Sequence, residues 1–260
     1  MNQPCDRERR SLEETRAEGS AEPTGPPVVH AGLEGVLRSA ALLQKLVPDA
    51  VLVGGTAASY HAGHRHSYDH DHVLDDLATR FDLVLEALER EPEWVTNRVV
   101  AGKIVLGSLG GIEAGVRQMI RRHPLDVEEV PVGDGLSVRV PTESECLRIK
   151  AFLVVRRNQM RDYLDVAALS AHLGTSEAAR ILSRIDAYYA DLRGSASEAA
   201  DRVASQVARQ LGDPRPADSR SIAQLPRYKG VQPPWDDWKA VRTQCAEVAA
   251  RMLSIADGEG

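Results

Sequence analysis

Residues 53–72 read VGGTAASYHAGHRHSYDHDH, and the strand, turn and second strand they encode decide the fold. The apolar run Val51-Leu52-Val53 leads into Gly54-Gly55-Thr56. Twelve residues intervene before Asp69-His70-Asp71, which leads into Val73-Leu74. The first part reads as a strand over 50–54 with a helix from about residue 56, and the second as a strand over 69–74. Side chains alternate along a strand, so Asp69 and Asp71 share one face while His70 and His72 share the other. Two carboxylates on one face make a hard-oxygen site suited to Mg²⁺, which is usually held by a few carboxylates together with substrate phosphates. The double glycine lets backbone approach a phosphate closely, and the following helix would turn its N-terminal N–H groups toward that anion. A phosphate cradle beside metal carboxylates is the equipment for nucleotidyl transfer.

Outward from this stretch the pattern is mixed α/β, then helical. Val36, Leu37, Ala40, Leu43 and Val47 give residues 33–47 one apolar helical face, and Leu77, Phe81, Leu85 and Leu88 do the same for 77–90. Paired strands are expected at 94–100 and 103–109, and residues 112–122 fit helix or strand. A hairpin is expected over 125–132 and 136–140, turning at Gly133-Asp134-Gly135. Thr142 with Glu145 has the spacing of a capping box and opens a helix to about Arg157. Further helices are expected at 160–173, 176–192, 197–211 and 235–255, with a Pro-rich loop over 212–234 and Trp235 and Trp238 on a core stripe of the last helix. Residues 1–30, charged and then Pro/Gly-rich, read as a disordered leader. Residues 31–141 then form a core with a mixed sheet, and 142–260 a C-terminal helical domain.

Composition narrows the function classes. The chain has 260 residues and 43% hydrophobic content, enough for a sizeable core. A net charge of −6 excludes a polycation that binds nucleic acid by bulk attraction, so any RNA contact needs a local basic patch. Arg117, Arg121, Arg122, His123, Arg156 and Arg157 are candidates for one. Three scattered cysteines give no disulfide framework and fit a reducing cytoplasm, the expected location. No run of 18 apolar residues is present, so no membrane span is expected, and the charged DRERRSLEETRAEG near the start is unlike a secretory signal.

A second block sharpens the first. Lys150 to Leu169 reads KAFLVVRRNQMRDYLDVAAL. Taken in order, Gly-Gly-Thr, Asp-x-Asp and this Lys, Arg-rich, Arg-Asp-aromatic-x-Asp block resemble the AbiEii toxin family of the polymerase-β-like nucleotidyltransferase superfamily, over roughly residues 32–174. The resemblance implies an α+β fold, a mixed sheet flanked by helices and followed by a helical bundle. It implies a Mg²⁺-dependent enzyme that moves NMP from an NTP to an RNA acceptor, for which the 3′ end of tRNA is a candidate. It also implies a toxin's role, with a separately encoded antitoxin as partner. Gly63-His64-Arg65 matches the family's Gly-His-Arg, where Arg65 could hold a phosphate. A third metal carboxylate is expected from a neighbouring strand, with Asp126 the choice and Glu128, on the same face, the alternate.

Ser67, two residues before Asp69, could hydrogen-bond a triphosphate oxygen, and a phosphate placed on it would set about −1.5 to −2 charge beside the carboxylates. Lys150, on an otherwise apolar helix face, could reach a β- or γ-phosphate as a point charge. Asp162 and Asp165 share a helix face; they could position Lys150 or a ribose, or Asp165 could pair with Arg157 or Arg161. Five of the eight histidines fall between residues 61 and 72, which keeps a rival open: a metal-dependent phosphohydrolase using His/Asp ligands. A third reading is a nucleotide- or partner-binding module without turnover.

Overall fold

Strand β1 (Val51–Val53) ends where Gly54 takes up φ +78°, and helix α2 (Gly54–Ala62) starts at that glycine, earlier than the periodicity suggests. A computed structural model describes residues 31–189 and 202–258. The expected leader 1–30 and the region 190–201, where two expected helices end and begin, lie outside the described residues. Ahead of β1, helix α1 (Ala31–Leu46) lays Leu33, Leu37, Ala40 and Leu43 into the core. The sheet is mixed. Its order is β1-β2-β5-β4-β3, built from β2 (Asp69–Leu74), β3 (Trp94–Val100), β4 (Ile104–Leu109) and β5 (Ile112–Gln118). β2 and β5 run parallel and the remaining neighbours antiparallel. The segment that fitted helix or strand is therefore β5, the strand beside the aspartates. Strands β6 (Val127–Pro131) and β7 (Ser137–Pro141) form a separate two-stranded sheet, and Gly133, Asp134 and Gly135 between them all have positive φ.

Helix α3 (Phe81–Glu89) begins four residues after the expected start. Asp76 explains the delay. Its carbonyl accepts from the Thr79 and Arg80 amides and its carboxylate from Arg80 Nε at 2.7 Å, so residues 76–80 close into a turn while Leu77 still reaches the core. Among the described residues, five α-helices follow: α4 (Glu143–Arg157), α5 (Met160–Leu173), α6 (Thr175–Ser183), α7 (Val203–Gly212) and α8 (Trp238–Ala256). The expected loop contains a 3-10 helix at Ser219–Arg227. Helix α8 starts at Trp238 because the Asp237 side chain caps it from the Lys239 amide. The box at Thr142 is half formed. Thr142 Oγ1 accepts from the Glu145 amide, but the Glu145 carboxylate turns to Arg148 and Arg121 instead.

Helix α2 belongs to both halves of the molecule. Its Ala57 and Ala58 sit in the core formed by α4 to α8, although the chain on either side of it builds the sheet. Small side chains here let α2 lie close to α4 and α5. The sheet and helical halves therefore share packing and do not meet only at residues 141 and 142.

Burial along β2 alternates strictly, with Asp69, Asp71 and Val73 half-buried and His70, His72 and Leu74 buried. The histidines take the places that aliphatic residues usually fill. The His70 ring meets Ser39 Oγ on α1 at 3.0 Å, and the two rings contact edge to face at 5.2 Å. Burial keeps both neutral: the His72 imidazole is held well below its usual range, and that of His70 falls to about 4. The unfolded chain gains this proton near pH 6.5 and the folded chain does so near 4, so stability present above pH 6.5 is lost as pH falls toward 4. In metal-free buffer, His70 alone is expected to remove about 1.5 kcal/mol between pH 6.5 and 5. Urea titrations at both pH values check this: His70→Gln should lose that share of the slope, and an unchanged slope would place it elsewhere.

Candidate active site

Register fixes the surroundings of the aspartates. Asp69 lies opposite Glu113 on β5, Asp71 opposite Gly115 and Val73 opposite Arg117. A Cβ on Gly115 would come within 2.7 Å of Asp71 Oδ1, so glycine at this strand position makes room for the carboxylate. On the other side Gly54 faces Asp71, and a Cβ there would sit 3.6 Å from Oδ2. Both carboxylates stay reachable, with 43% of the Asp69 side chain and 35% of the Asp71 side chain exposed. Each already has a cation. Lys229 Nζ is 3.0 Å from Asp69 Oδ1, and Arg117 Nε is 3.2 Å from Asp71 Oδ1. Burial pushes the Asp69 carboxyl up, but Lys229, Ser67 and Arg65 together hold it below its ordinary value.

Beneath the pair lies a buried ionic hub. Asp165 on α5 is fully buried and meets three side chains: His64 Nε2 at 2.7 Å, Arg65 through Nε at 2.8 Å and Nη2 at 3.1 Å, and Lys150 Nζ at 2.7 Å. Burial alone would raise this carboxyl, yet Arg65, Lys150 and His64 hold it well below the usual carboxylate range. Next to the hub, Gly55 is obligatory, since a Cβ would come within 2.6 Å of Arg65 Nη2 and 3.2 Å of Ser67 Oγ. Ser67 donates to Asp69 Oδ1 at 3.3 Å.

The structure thus gathers Gly54, Gly55, Arg65, Ser67, Asp69, Asp71, Lys150 and Asp165 around one small cavity of about 60 Å³, together with Tyr228, Lys229, Arg157 and Arg161. A larger cavity of about 610 Å³ opens over Asp69, Asp71 and Glu113, rimmed by Arg98, Arg117, Arg157 and Arg161. An apolar slot of about 220 Å³ adjoins Asp71 and Arg157, walled by Ile149, Phe152 and Leu153 of α4 and by Met119 and Ile120 after β5.

Several expected roles change. Asp126 is not on a strand beside β2; it precedes β6 of the second sheet, where it is ion-paired with Arg148. Glu128, on β6, lies 3.9 Å from His61. The strand that neighbours the aspartates is β5, and its acidic residue in register is Glu113. Among the described residues, no group of three or more His, Cys, Asp and Glu side chains closes into a metal-ligand set. Lys150 is only 3% exposed and is spent on Asp165, so it braces the floor of the site and does not reach out of it. Asp165 is likewise saturated by its cations and has no lone pair turned to a ribose. Asp162 is buried and grips Arg157 through Nε at 3.2 Å and Nη2 at 2.7 Å; it positions an arginine of the rim. Thr56 Oγ1 donates to the Asp69 carbonyl, pinning β2 and not a phosphate. Ser67 is buried, which closes its hydroxyl to a modifying enzyme in this arrangement. Of the expected basic patch, Arg117 and Arg157 border the site. Arg121 is instead buried against Glu145 at 2.6 Å, its guanidinium 4.9 Å from the centre of the Tyr189 ring. His70 and His72 occupy the opposite face of β2 from the aspartates, so neither can join Asp69 and Asp71 at a shared metal.

Sequence reasoning missed Lys229, Glu113 and Gly115. A signal for Gly115 was present, because an isolated glycine inside a strand often marks close approach.

No family model matches the chain. It is 33% identical over 137 residues to the mycolic acid-containing lipids exporter MmpL11 of Mycolicibacterium smegmatis, a match covering 52% of this chain and 13% of the exporter. It is 29% identical over 246 residues to the heme uptake protein MmpL11 of Mycobacterium tuberculosis, covering 85% of this chain and 23% of that protein. The chain therefore spans less than a quarter of the length of these relatives. Among the described residues no helix is long and apolar enough to cross a membrane. Of solved structures, a candidate nucleotidyltransferase of Helicobacter pylori aligns at 14% identity with a TM-score of 0.45, covering 87% of this chain and 94% of that one. An antigenic nucleotidyltransferase-like protein of Paracoccidioides brasiliensis aligns at 18% identity with a TM-score of 0.41, covering 64% and 92%.

The hub generates a stability prediction. Asp165→Asn leaves Arg65 and Lys150 buried without their counter-charge, a change that typically costs about 3–5 kcal/mol. Chemical denaturation of the variant should show that loss. A change below about 1 kcal/mol would mean that water or Asp69 replaces the carboxylate.

Proposed function

We propose that this chain is a nucleotidyltransferase that moves NMP from an NTP to an RNA acceptor, with the 3′ end of tRNA the leading candidate. One observation carries the reading: two half-exposed carboxylates on one strand face, flanked by Gly54 and Gly115, which leave room for them, and bordered by Arg98, Arg117, Arg157, Arg161 and Lys229. Asp69 and Asp71 present hard oxygen donors on a face open to solvent, which fits Mg²⁺ completed by substrate phosphates. Asp69 and Asp71 would hold the ion, and when bound it neutralises phosphate charge and lowers the pKa of an attacking hydroxyl.

The protein's own residues do the rest. Gly54 and Gly55 keep side chains out of the approach to the carboxylates, and the first amides of α2 face an incoming anion. Arg117, Arg157 and Arg161 supply positive charge where the triphosphate must lie, and Asp162 holds Arg157 in place before substrate arrives. The apolar slot beside Asp71 suits the planar face of a base, which can pack there without spending a hydrogen bond. The cytoplasmic toxin's role and the separately encoded antitoxin are supported by the resemblance in the Gly-Gly-Thr, Asp-x-Asp and Lys150–Leu169 blocks. Lipid export and heme uptake are named for relatives of which this chain matches less than a quarter.

Incubating the purified chain with total RNA, Mg²⁺ and each labelled NTP in turn tests the reading. Label should enter RNA with release of pyrophosphate. Asp71→Asn should lower incorporation by on the order of 10²–10³-fold, because several kcal/mol of charge stabilisation goes with the ligand, while the melting temperature moves little. Orthophosphate release with no labelled RNA would establish a phosphohydrolase, and nucleotide binding without either product a binding module.

A further inference from the structure

The cation on Asp69 comes from far along the chain. Lys229 follows the 3-10 helix Ser219–Arg227, and residues 228–232 run as a strap across the loop before β2. Two backbone hydrogen bonds pin the strap, from the His66 amide to the Lys229 carbonyl at 2.8 Å and from the Gln232 amide to the His64 carbonyl at 2.8 Å. Lys229 itself has φ +47°, a left-handed conformation that a lysine adopts at a cost and that points to a constrained position. Gly230 follows at φ +61° and packs so tightly on His66 that a Cβ would lie 2.1 Å from its Cδ2. The Tyr228 ring lies 5.7 Å from the Arg65 guanidinium. These contacts fix the strap's backbone and leave the lysyl stem free, its side chain 33% exposed within the cavity that Gly54 and Gly55 line.

We propose that Lys229 is a phosphate-contacting residue of this site, its ammonium holding Asp69 until a divalent cation takes that carboxylate and then serving the nucleotide. The inference rests on the nucleotidyltransferase reading. The two buried cations at the cavity, Arg65 and Lys150, are both committed to Asp165 and cannot fill this role. Displacement of Lys229 needs rotation of its side chain and no movement of the pinned backbone. The same ammonium therefore offsets negative charge at Asp69 before binding and at the phosphates after it, so the charge is placed in advance and little ordering is left for the binding step.

Lys229→Met keeps the apolar stem and removes the charge, and Lys229→Arg restores it. Mn²⁺ titrated into the full chain and followed by the EPR signal of the free ion should bind about ten-fold more tightly to K229M, because the competitor for Asp69 is gone. A non-hydrolysable NTP analogue in saturating Mn²⁺ should bind K229M about ten-fold more weakly, with recovery in K229R. Mn²⁺ and nucleotide affinities equal to those of the original chain would overturn the proposal and leave Lys229 as a tie that holds the strap. Both shifts without any RNA labelling would sustain Lys229 and sink the transferase reading. RNA labelling without either shift would do the reverse.

Discussion

Asp165 has no access to water, so every feature around it follows from the need to keep a buried carboxylate paired. Taking a charge out of water costs several kcal/mol per ion, which is recovered only with close partners and satisfied hydrogen bonds. The partners come from two places. Lys150 stands on α4, and His64 with Arg65 comes from the loop between α2 and β2, about a hundred residues earlier in the chain. The hub therefore fastens that loop to the helical half. Because the loop runs on to Ser67 and Asp69, the same bonds set where the strand of carboxylates begins. Arg65, held in place by Asp165, in turn leaves no room for a side chain at Gly55, where a Cβ would come within 2.6 Å of its Nη2.

The strand β2 resolves a conflict between its faces. One side must carry carboxylates to solvent, and the other must close against α1. His70 and His72 can line the closed side only as neutral rings, and burial enforces that form. The site thus tolerates imidazoles beneath it without their acting as ligands. Two histidines beside two aspartates in sequence suggest a mixed metal site; the strand period separates them onto opposite faces.

That separation was legible because it needs only the period of two. So were the helix faces, the hairpin at Gly133-Asp134-Gly135 and the meeting of the Gly-Gly-Thr stretch with Asp-x-Asp. Sheet order was not. Residues 112–118 carry no clear periodicity, so β5 could not be named as the neighbour of β2, and the third carboxylate was sought at Asp126, which precedes β6 of the other sheet. Lys150 was read as a phosphate contact and Asp162 as positioning Lys150 or a ribose, whereas the fold pairs Lys150 with Asp165 and Asp162 with Arg157. A sequence shows that a charged residue sits on an apolar helix face, and only the fold shows which opposite charge meets it there. Lys229 was beyond reach for a different reason. It lies 160 residues from Asp69, in a Pro-rich segment with neither helical nor strand period, and only the strap's backbone bonds to residues 64–66 bring it in.

The charge distribution around the aspartates follows from these attachments. The chain is acidic overall, with a net charge of −6, yet Arg117, Arg157, Arg161 and Lys229 crowd one opening. Two carboxylates on one strand face repel each other, and a cation placed at each, Arg117 and Lys229, offsets that repulsion. The arginines are held by other residues: Arg157 by Asp162, and Arg161 by Gln159 through a bond of 3.1 Å. Ordering a long basic side chain costs entropy, and here much of that cost falls on folding instead of on binding. A local positive rim on an acidic surface also draws polyanions to one place while repelling them elsewhere. Under the proposed function, the acidity of the whole chain and the basicity of this opening would act together, the first limiting indiscriminate binding of nucleic acid and the second concentrating phosphate over Asp69 and Asp71.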